Sequence, residues 1–238
     1  MVKLTRLRFM RPANVSEGIF LSRTGSDAQR RMRRLGAGLM VVLAMQFFLS
    51  PGLSAAPAPV SVVETFHTGL LNAIRATDGK GFAARRDKMK PVIAQAFDTA
   101  YMVQVAAGTY WDAMSADQRK ALTAAFRDMT VANYASRFKS YKGQSFAIVD
   151  TRPVGKRTLV KSELKRTEGD PVSIDYVVQP GASGGFGIVD VRLGGTISEL
   201  ALRRSEFAPI LRDKGYAGLI ALLQDKTKEI AAEASTSP

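Results

Sequence analysis

The sequence predicts an α+β fold, and three observations carry that expectation. Helical periodicity fills residues 62–141, strand-like alternation fills 144–193, and helical periodicity returns from 205 onward. Helices and strands segregated into blocks pack as helices against an antiparallel sheet, whereas alternating blocks would build a parallel one. The expected architecture is a four-stranded antiparallel sheet covered by N- and C-terminal helices.

Each element has its own signal. Val62, Val63, Phe66, Leu70 and Ile74 recur at three- and four-residue steps, the stripe of a first helix closed by Asp78-Gly79. A second helical stretch, 81–94, places Arg85, Arg86, Lys88 and Lys90 on a solvent face. Phe97, Tyr101, Met102 and Val105 mark a third, ended near Gly108. The fourth, from Ser115 to about Tyr141, opens with Ser115 and Gln118 at capping-box spacing, where each side chain satisfies a free backbone amide.

Alternation then takes over. Strands are expected at 144–152, 156–166, 171–179 and 186–193, the third placing Val172, Ile174, Tyr176 and Val178 on one side. The turns at 153–155, 168–170 and 181–185 are short, which joins the strands as an antiparallel meander. Ser205 is placed to cap a helix running to Lys214 and stopped by Gly215. Leu219, Leu222 and Leu223 follow on a last helix, and 233–238 form a frayed polar tail.

The front of the chain has a different character. Arg30, Arg31, Arg33 and Arg34 precede an apolar run, 35–49, which ends in Ser50-Pro51-Gly52 and the small residues Ser54, Ala55 and Ala56. Basic start, apolar middle and small-residue exit are the parts of a cleaved secretory signal. The run is shorter than the roughly 20 residues a membrane-spanning helix needs. Residues 1–56 are therefore expected to be an N-terminal extension and signal peptide, with Met32 the expected true start. A single domain over 57–232 is expected in the periplasm. The whole chain carries +13, but 1–56 hold 9 of its 34 Lys and Arg and 2 of its 21 acids, leaving +6 beyond them. That balance suits anionic membrane surfaces or acidic partners. Export argues against nucleic acid.

Few residues can do chemistry. With no Cys and one His, the chain has no thiol nucleophile and no usual transition-metal set. His67 lies on the first helix without an evident catalytic grouping. Glu163, Asp175 and Asp190 fall on strands, where paired acids could do acid/base work and where a structural role is the plainer reading. The glycine-rich 181–187 joins two strands; a phosphate cradle would open a helix instead. No metal or cofactor is expected. A small exported enzyme with a cone-shaped pocket is the alternative reading, and a ligand-free envelope adaptor a third.

What the chain offers is apolar surface. Phe97, Met102, Tyr134, Phe138, Ile148, Tyr176, Val178, Val191, Phe207, Leu211, Leu219 and Leu223 either fill one core or line a hollow. Periodicity does not separate those cases, because both want apolar side chains pointing inward.

A resemblance bears on the choice. Residues 110–119 (Tyr110-Trp111-Asp112 through Ser115 to Arg119), Phe126-Arg127-Asp128-Met129, Tyr134-Ala135-Ser136 and Tyr141–Gln144 resemble the MlaC family, the periplasmic phospholipid-binding component of Mla and toluene-tolerance ABC transport systems. Asp190, Gly194-Gly195, Ile197-Ser198, Ser205-Glu206-Phe207, Leu211–Gly215 and Gly218–Ile220 resemble its closing segment, and 197–207 is similar to the hopanoid-associated HpnM branch. Many relatives open the last strand with Trp, where this chain has Gly185-Phe186-Gly187. The resemblance implies a monomeric carrier whose apolar cavity, lined by the twelve residues above, takes a phospholipid or hopanoid-type lipid as cargo. It also implies two partners, an inner-membrane MCE-domain ABC transporter and an outer-membrane lipoprotein complex. On that reading a charge placed inward at Val178 or Leu211 removes the cargo and leaves the fold.

Overall fold

The computed structural model describes residues 58–181 and 184–236, so the signal-peptide and start-site expectations for 1–56 lie outside the described residues. The first helix, α1 (Pro59–Ala76), starts with Pro at a position where a missing N–H costs nothing. Its stripe Val63, Phe66, Leu70 and Ile74 is fully buried. Next come α2 (Gly81–Ala96) and α3 (Thr99–Ala107), the latter capped by the Asp98 carboxylate accepting from the Tyr101 N–H at 3.0 Å. A short 3-10 turn at Gly108–Trp111 leads to α4 (Ala116–Arg137). The capping box is present: Ser115 Oγ accepts from the Gln118 N–H at 3.2 Å, and Gln118 Oε1 accepts from the Ser115 N–H at 2.9 Å. One expectation fails here. Arg85 is buried, not on a wet face, and its Nε donates to the Ala135 carbonyl at 3.0 Å, tying α2 to the end of α4.

The sheet has five strands in the order β1-β2-β3-β4-β5, all antiparallel, where the sequence suggests four. They are β1 (Ser145–Val154), β2 (Arg157–Lys165), β3 (Val172–Pro180), β4 (Phe186–Leu193) and β5 (Ile197–Ser198). The added strand is two residues long, too short to show alternation. It reaches β4 through a tight turn in which Gly194 and Gly195 both take positive φ, 61° and 74°, a conformation that glycine adopts without strain. The register pairs Val160 with Tyr176, Tyr176 with Val191 and Ile174 with Leu193, putting these residues on the helix-covered face. Leu159, Val177 and Val189 form a smaller cluster, closed by Tyr101 of α3.

The last element, α5 (Glu199–Thr236), is two helical arms. It begins at Glu199, six residues before the expected start. Two side chains cap it: Ser198 Oγ accepts from the Ala201 N–H and Asp190 Oδ1 from the Leu200 N–H, each at 3.0 Å. Ser205 lies inside the first arm, its hydroxyl donating to the Leu202 carbonyl. Gly215, at φ 61° and ψ −162°, breaks the helix where the sequence places a stop. Lys226 Nζ lies 2.8 Å from Glu206 Oε1. Twenty residues of straight helix would span about 30 Å, so the arms 199–214 and 216–236 fold back on each other. The second arm stays helical to Thr236, with Ala234 buried, where a frayed tail from 233 is expected.

Candidate functional site

A cavity of about 270 Å³ lies between the sheet and the helices. Its floor is the cross-strand pairs Ile174–Leu193 and Tyr176–Val191, with Leu164 beside them on β2. Its roof is one face of α4: Phe126, Met129, Thr130, Asn133, Tyr134, Arg137 and Phe138, spaced three or four apart as one helical face requires. Phe97 and Met102 close one side, and Glu199 and Arg203 of α5 complete the wall. The polar members are Thr130, Asn133, Arg137, Glu199 and Arg203, all from α4 and α5. Met129, Asn133 and Arg203 also border a cleft of about 210 Å³ with Lys226, Glu229, Ile230 and Glu233 from the second arm. The cavity is therefore greasy against the sheet and polar along the α4–α5 seam.

Of the twelve apolar residues singled out in the sequence, six line this cavity: Phe97, Met102, Tyr134, Phe138, Tyr176 and Val191. The other six do not. Ile148 is half-buried against the core, and Val178, Phe207, Leu211, Leu219 and Leu223 are buried within it. Val178 keeps the β3 face of Ile174 and Tyr176, but past a bulge in β4 it pairs with Ile188 and is buried in the core beyond the cavity lining. Phe207 packs edge-on against Phe126, behind the wall, with ring centroids 6.2 Å apart. Sequence reasoning missed Phe126, Met129, Ile174, Leu164 and Leu193, which continue the same periodicities. It also missed Thr130, Asn133, Arg137, Glu199 and Arg203, which read as the wet side of amphipathic helices.

Ion pairs order the α5 side of the seam. Arg203 Nη1 donates to Glu206 Oε2 at 2.8 Å and Arg203 Nη2 lies 3.5 Å from Glu199 Oε2, while Lys226 holds the other Glu206 oxygen. Burial works against ionising Glu206, but hydrogen bonds from Lys226 and Arg203 outweigh it and keep this carboxyl below its usual range. One cluster thus ties the two arms of α5 together beside the cavity.

Beside the floor, on the same face of the sheet, sits His67. Its Nε2 is 3.2 Å from the Tyr176 hydroxyl, a hydrogen bond whose donor depends on the tautomer, and its ring stacks on Phe146 at 4.1 Å. Burial lowers its pKa from 6.5 to about 4. Burial also raises Tyr134 and Tyr176 above the ordinary phenol range. The folded state therefore resists protonating His67, and the unfolded chain takes up the proton first as pH falls. Stability is expected to drop between pH 6.5 and about 4, by about 3 kcal/mol in total. Urea denaturation of wild type and His67→Gln across that range checks this. An equal loss in both proteins assigns the pH dependence to other groups.

The strand carboxylates have structural positions. Asp190 caps α5, Asp175 accepts from the Ser173 hydroxyl at 3.2 Å, and Glu163 is half-buried on β2; none of the three lines the cavity. Among the described residues no group of three or more His, Cys, Asp or Glu could hold a metal ion. Phe186 lines a separate groove of about 680 Å³ between α1, α2 and the start of β4. Gly187 has its own reason to be small. A Cβ there would meet Asp98 Cβ at 3.1 Å, where residues 97–98 pair alongside Ile188.

Across residues 64–225 the sequence matches the MlaC protein family. The chain belongs to the MlaC family. Its fold is also that of a solved phospholipid-binding protein from Ralstonia solanacearum, whose structure holds a phospholipid. The two are 20% identical and superpose with a TM-score of 0.66, over 74% of this chain and 99% of that one. The MlaC match spans the core of α1 through the second arm of α5, and so contains every residue of the cavity wall.

Proposed function

We propose that this MlaC-family chain is an exported phospholipid carrier that binds acyl chains in the cavity and leaves the headgroup at the α4–α5 seam. The observation that carries the reading is the polarity of the wall, with apolar strand residues at the floor and Arg137, Glu199 and Arg203 on one seam. An amphipathic ligand fits that gradient end to end. The bound phospholipid of the Ralstonia relative favours phospholipid over a hopanoid-type cargo. Binding without turnover accords with a wall whose one carboxylate, Glu199, is held by Arg203.

Energetics set how the carrier works. Each buried CH₂ is worth about 0.8 kcal/mol, so two acyl chains of roughly 30 methylenes represent about 25 kcal/mol of gross transfer energy. No lipid crosses water at a useful rate against that barrier without a container. The cavity of about 270 Å³ stands at the small end of ligand pockets, which run from roughly 300 to 1,000 Å³. A diacyl lipid therefore loads by parting the α4–α5 seam, with Gly215 as the bend between arms. The carrier exchanges cargo with an inner-membrane MCE-domain ABC transporter and an outer-membrane lipoprotein complex.

Organic extraction of purified folded protein, followed by mass spectrometry, tests the proposal. Stoichiometric phospholipid is expected. Folded protein that yields no lipid would point to an adaptor, and lysolipid or fatty acid accumulating with time would point to an enzyme.

A further inference from the structure

The positive charge of this protein beyond its first 56 residues is concentrated in one place. Residues 139–166 hold eight Lys and Arg against only Asp150 and Glu163, an excess of six. Residues 57–138 and 167–238 together hold seventeen of each sign and cancel. The balanced regions also pair their charges: every ion pair among the described residues lies outside 139–166. Within the segment Arg157 is engaged with Gln179 and Tyr101, and Arg166 reaches only a backbone carbonyl. None of the other cations is in an ion pair, although the register sets Lys161 opposite Asp150.

Geometry puts part of this charge on the outer face of the β1–β2 hairpin, where Tyr101 covers Leu159 but leaves Arg152, Lys156 and Lys165 exposed. The β1–β2 register pairs Arg152 with Leu159 and Ser145 with Lys165, and places Lys161 on the same side. That side faces away from Val160 and Leu164, which pack toward the helices. The bulge between Ile148 and Asp150 leaves Val149 52% exposed, and Val154 near the hairpin tip is 43% exposed. Two bare valines thus stand among unpaired cations.

We propose that the outer face of the β1–β2 hairpin docks this protein onto the surface of an anionic lipid bilayer. Lysine supplies most of the cations, and a hydrated ammonium on a flexible stem suits a fluid charged surface better than a fixed carboxylate geometry. No groove described above shapes this face for a protein segment, and isolated valines can enter a headgroup layer. Basic segments gain attraction to anionic leaflets residue by residue, within a Debye length of the surface. The docking is separate from cargo binding, since the face points away from the cavity.

The test is co-sedimentation of the full chain with vesicles of phosphatidylcholine, alone or with about 30 mol% phosphatidylglycerol, at about 0.1 M salt. Combined Arg152→Glu, Lys161→Glu and Lys165→Glu is expected to weaken binding to the anionic vesicles at least about ten-fold. A second set at the tip, Arg152→Glu with Lys156→Glu, is expected to weaken it about three-fold or more. Reversing the exposed Lys80, Lys88 and Lys120 to Glu changes net charge as much as the first set does, and is expected to cost less than about two-fold. Extractable lipid and circular dichroism should stay at wild-type values in all three, which separates docking from the carrier reading. Equal losses in hairpin and control sets overturn the proposal, as does undiminished binding by the hairpin variants or equal wild-type binding to neutral vesicles.

Discussion

Val191→Asp is expected to lower the phospholipid recovered per folded chain at least about ten-fold, the largest effect of any single change on cargo. Val191 is buried on the cavity floor opposite Tyr176, and the hydroxyl of that tyrosine is already bonded to His67. No cation stands on the floor beside it: Arg137 and Arg203 sit on the α4–α5 seam, and Arg203 is held by Glu199 and Glu206. An unpaired buried carboxylate costs several kcal/mol. It keeps water around itself, so a lipid that fills the cavity would have to strip that water away. Val191→Ala, which removes only methyl groups, is expected to keep most of the lipid. Lipid phosphorus per mole of protein, with circular dichroism as the fold control, reads the result. A Val191→Asp protein with wild-type lipid would show that the cargo is held elsewhere. The cavity also shows why Val178 and Leu211 are the wrong places for this test. Both are buried in the core and neither lines the cavity, so a charge at either attacks the fold before it reaches the cargo.

That contrast marks how far the sequence could be read. The capping box at Ser115, the alternation of β1 to β4 and the stop at Gly215 are local signals, written in neighbouring residues, and the structure has each of them. The start of α5 depends on Asp190, ten residues away on another strand, so the local Ser205 misled. The fifth strand is too short for a period to show. The cavity posed a harder problem. Phe126 and Phe207 obey the same helical rule, yet one lines the hollow and the other packs behind it. An apolar stripe says which way a side chain points and nothing about what stands opposite. The polar wall was hidden for the converse reason. Thr130, Asn133 and Arg137 look like solvent positions on an amphipathic helix, and only the approach of α5 turns that side into a seam.

Phe66→Ala carries the largest expected loss of stability, about 3–5 kcal/mol. Phe66 is 1% exposed, and its ring meets Phe97, Tyr134 and Tyr176 edge-on at 5.1, 5.4 and 5.9 Å. Those three line the cavity, while Phe66 itself borders the α1–α2 groove. One ring therefore forms the partition between hollow and groove, and three neighbours rely on its edge for contact. Removing it leaves a void next to an existing cavity, where the surroundings have little material with which to collapse. Edge-to-face pairs add about 0.5–1.5 kcal/mol each beyond area burial, which places this site toward the upper end of the range. A domain with a total stability of about 5–15 kcal/mol would be left marginal. Phe66→Leu keeps most of the volume and is expected to lose less than half as much. Urea denaturation at neutral pH separates the two through their midpoints. An Ala variant within about 1 kcal/mol of wild type would mean that the ring does not bear on the cavity wall. If the variant still folds, the opened partition should let the cavity take bulkier cargo than the wild type, because the hollow then runs into the groove behind α1.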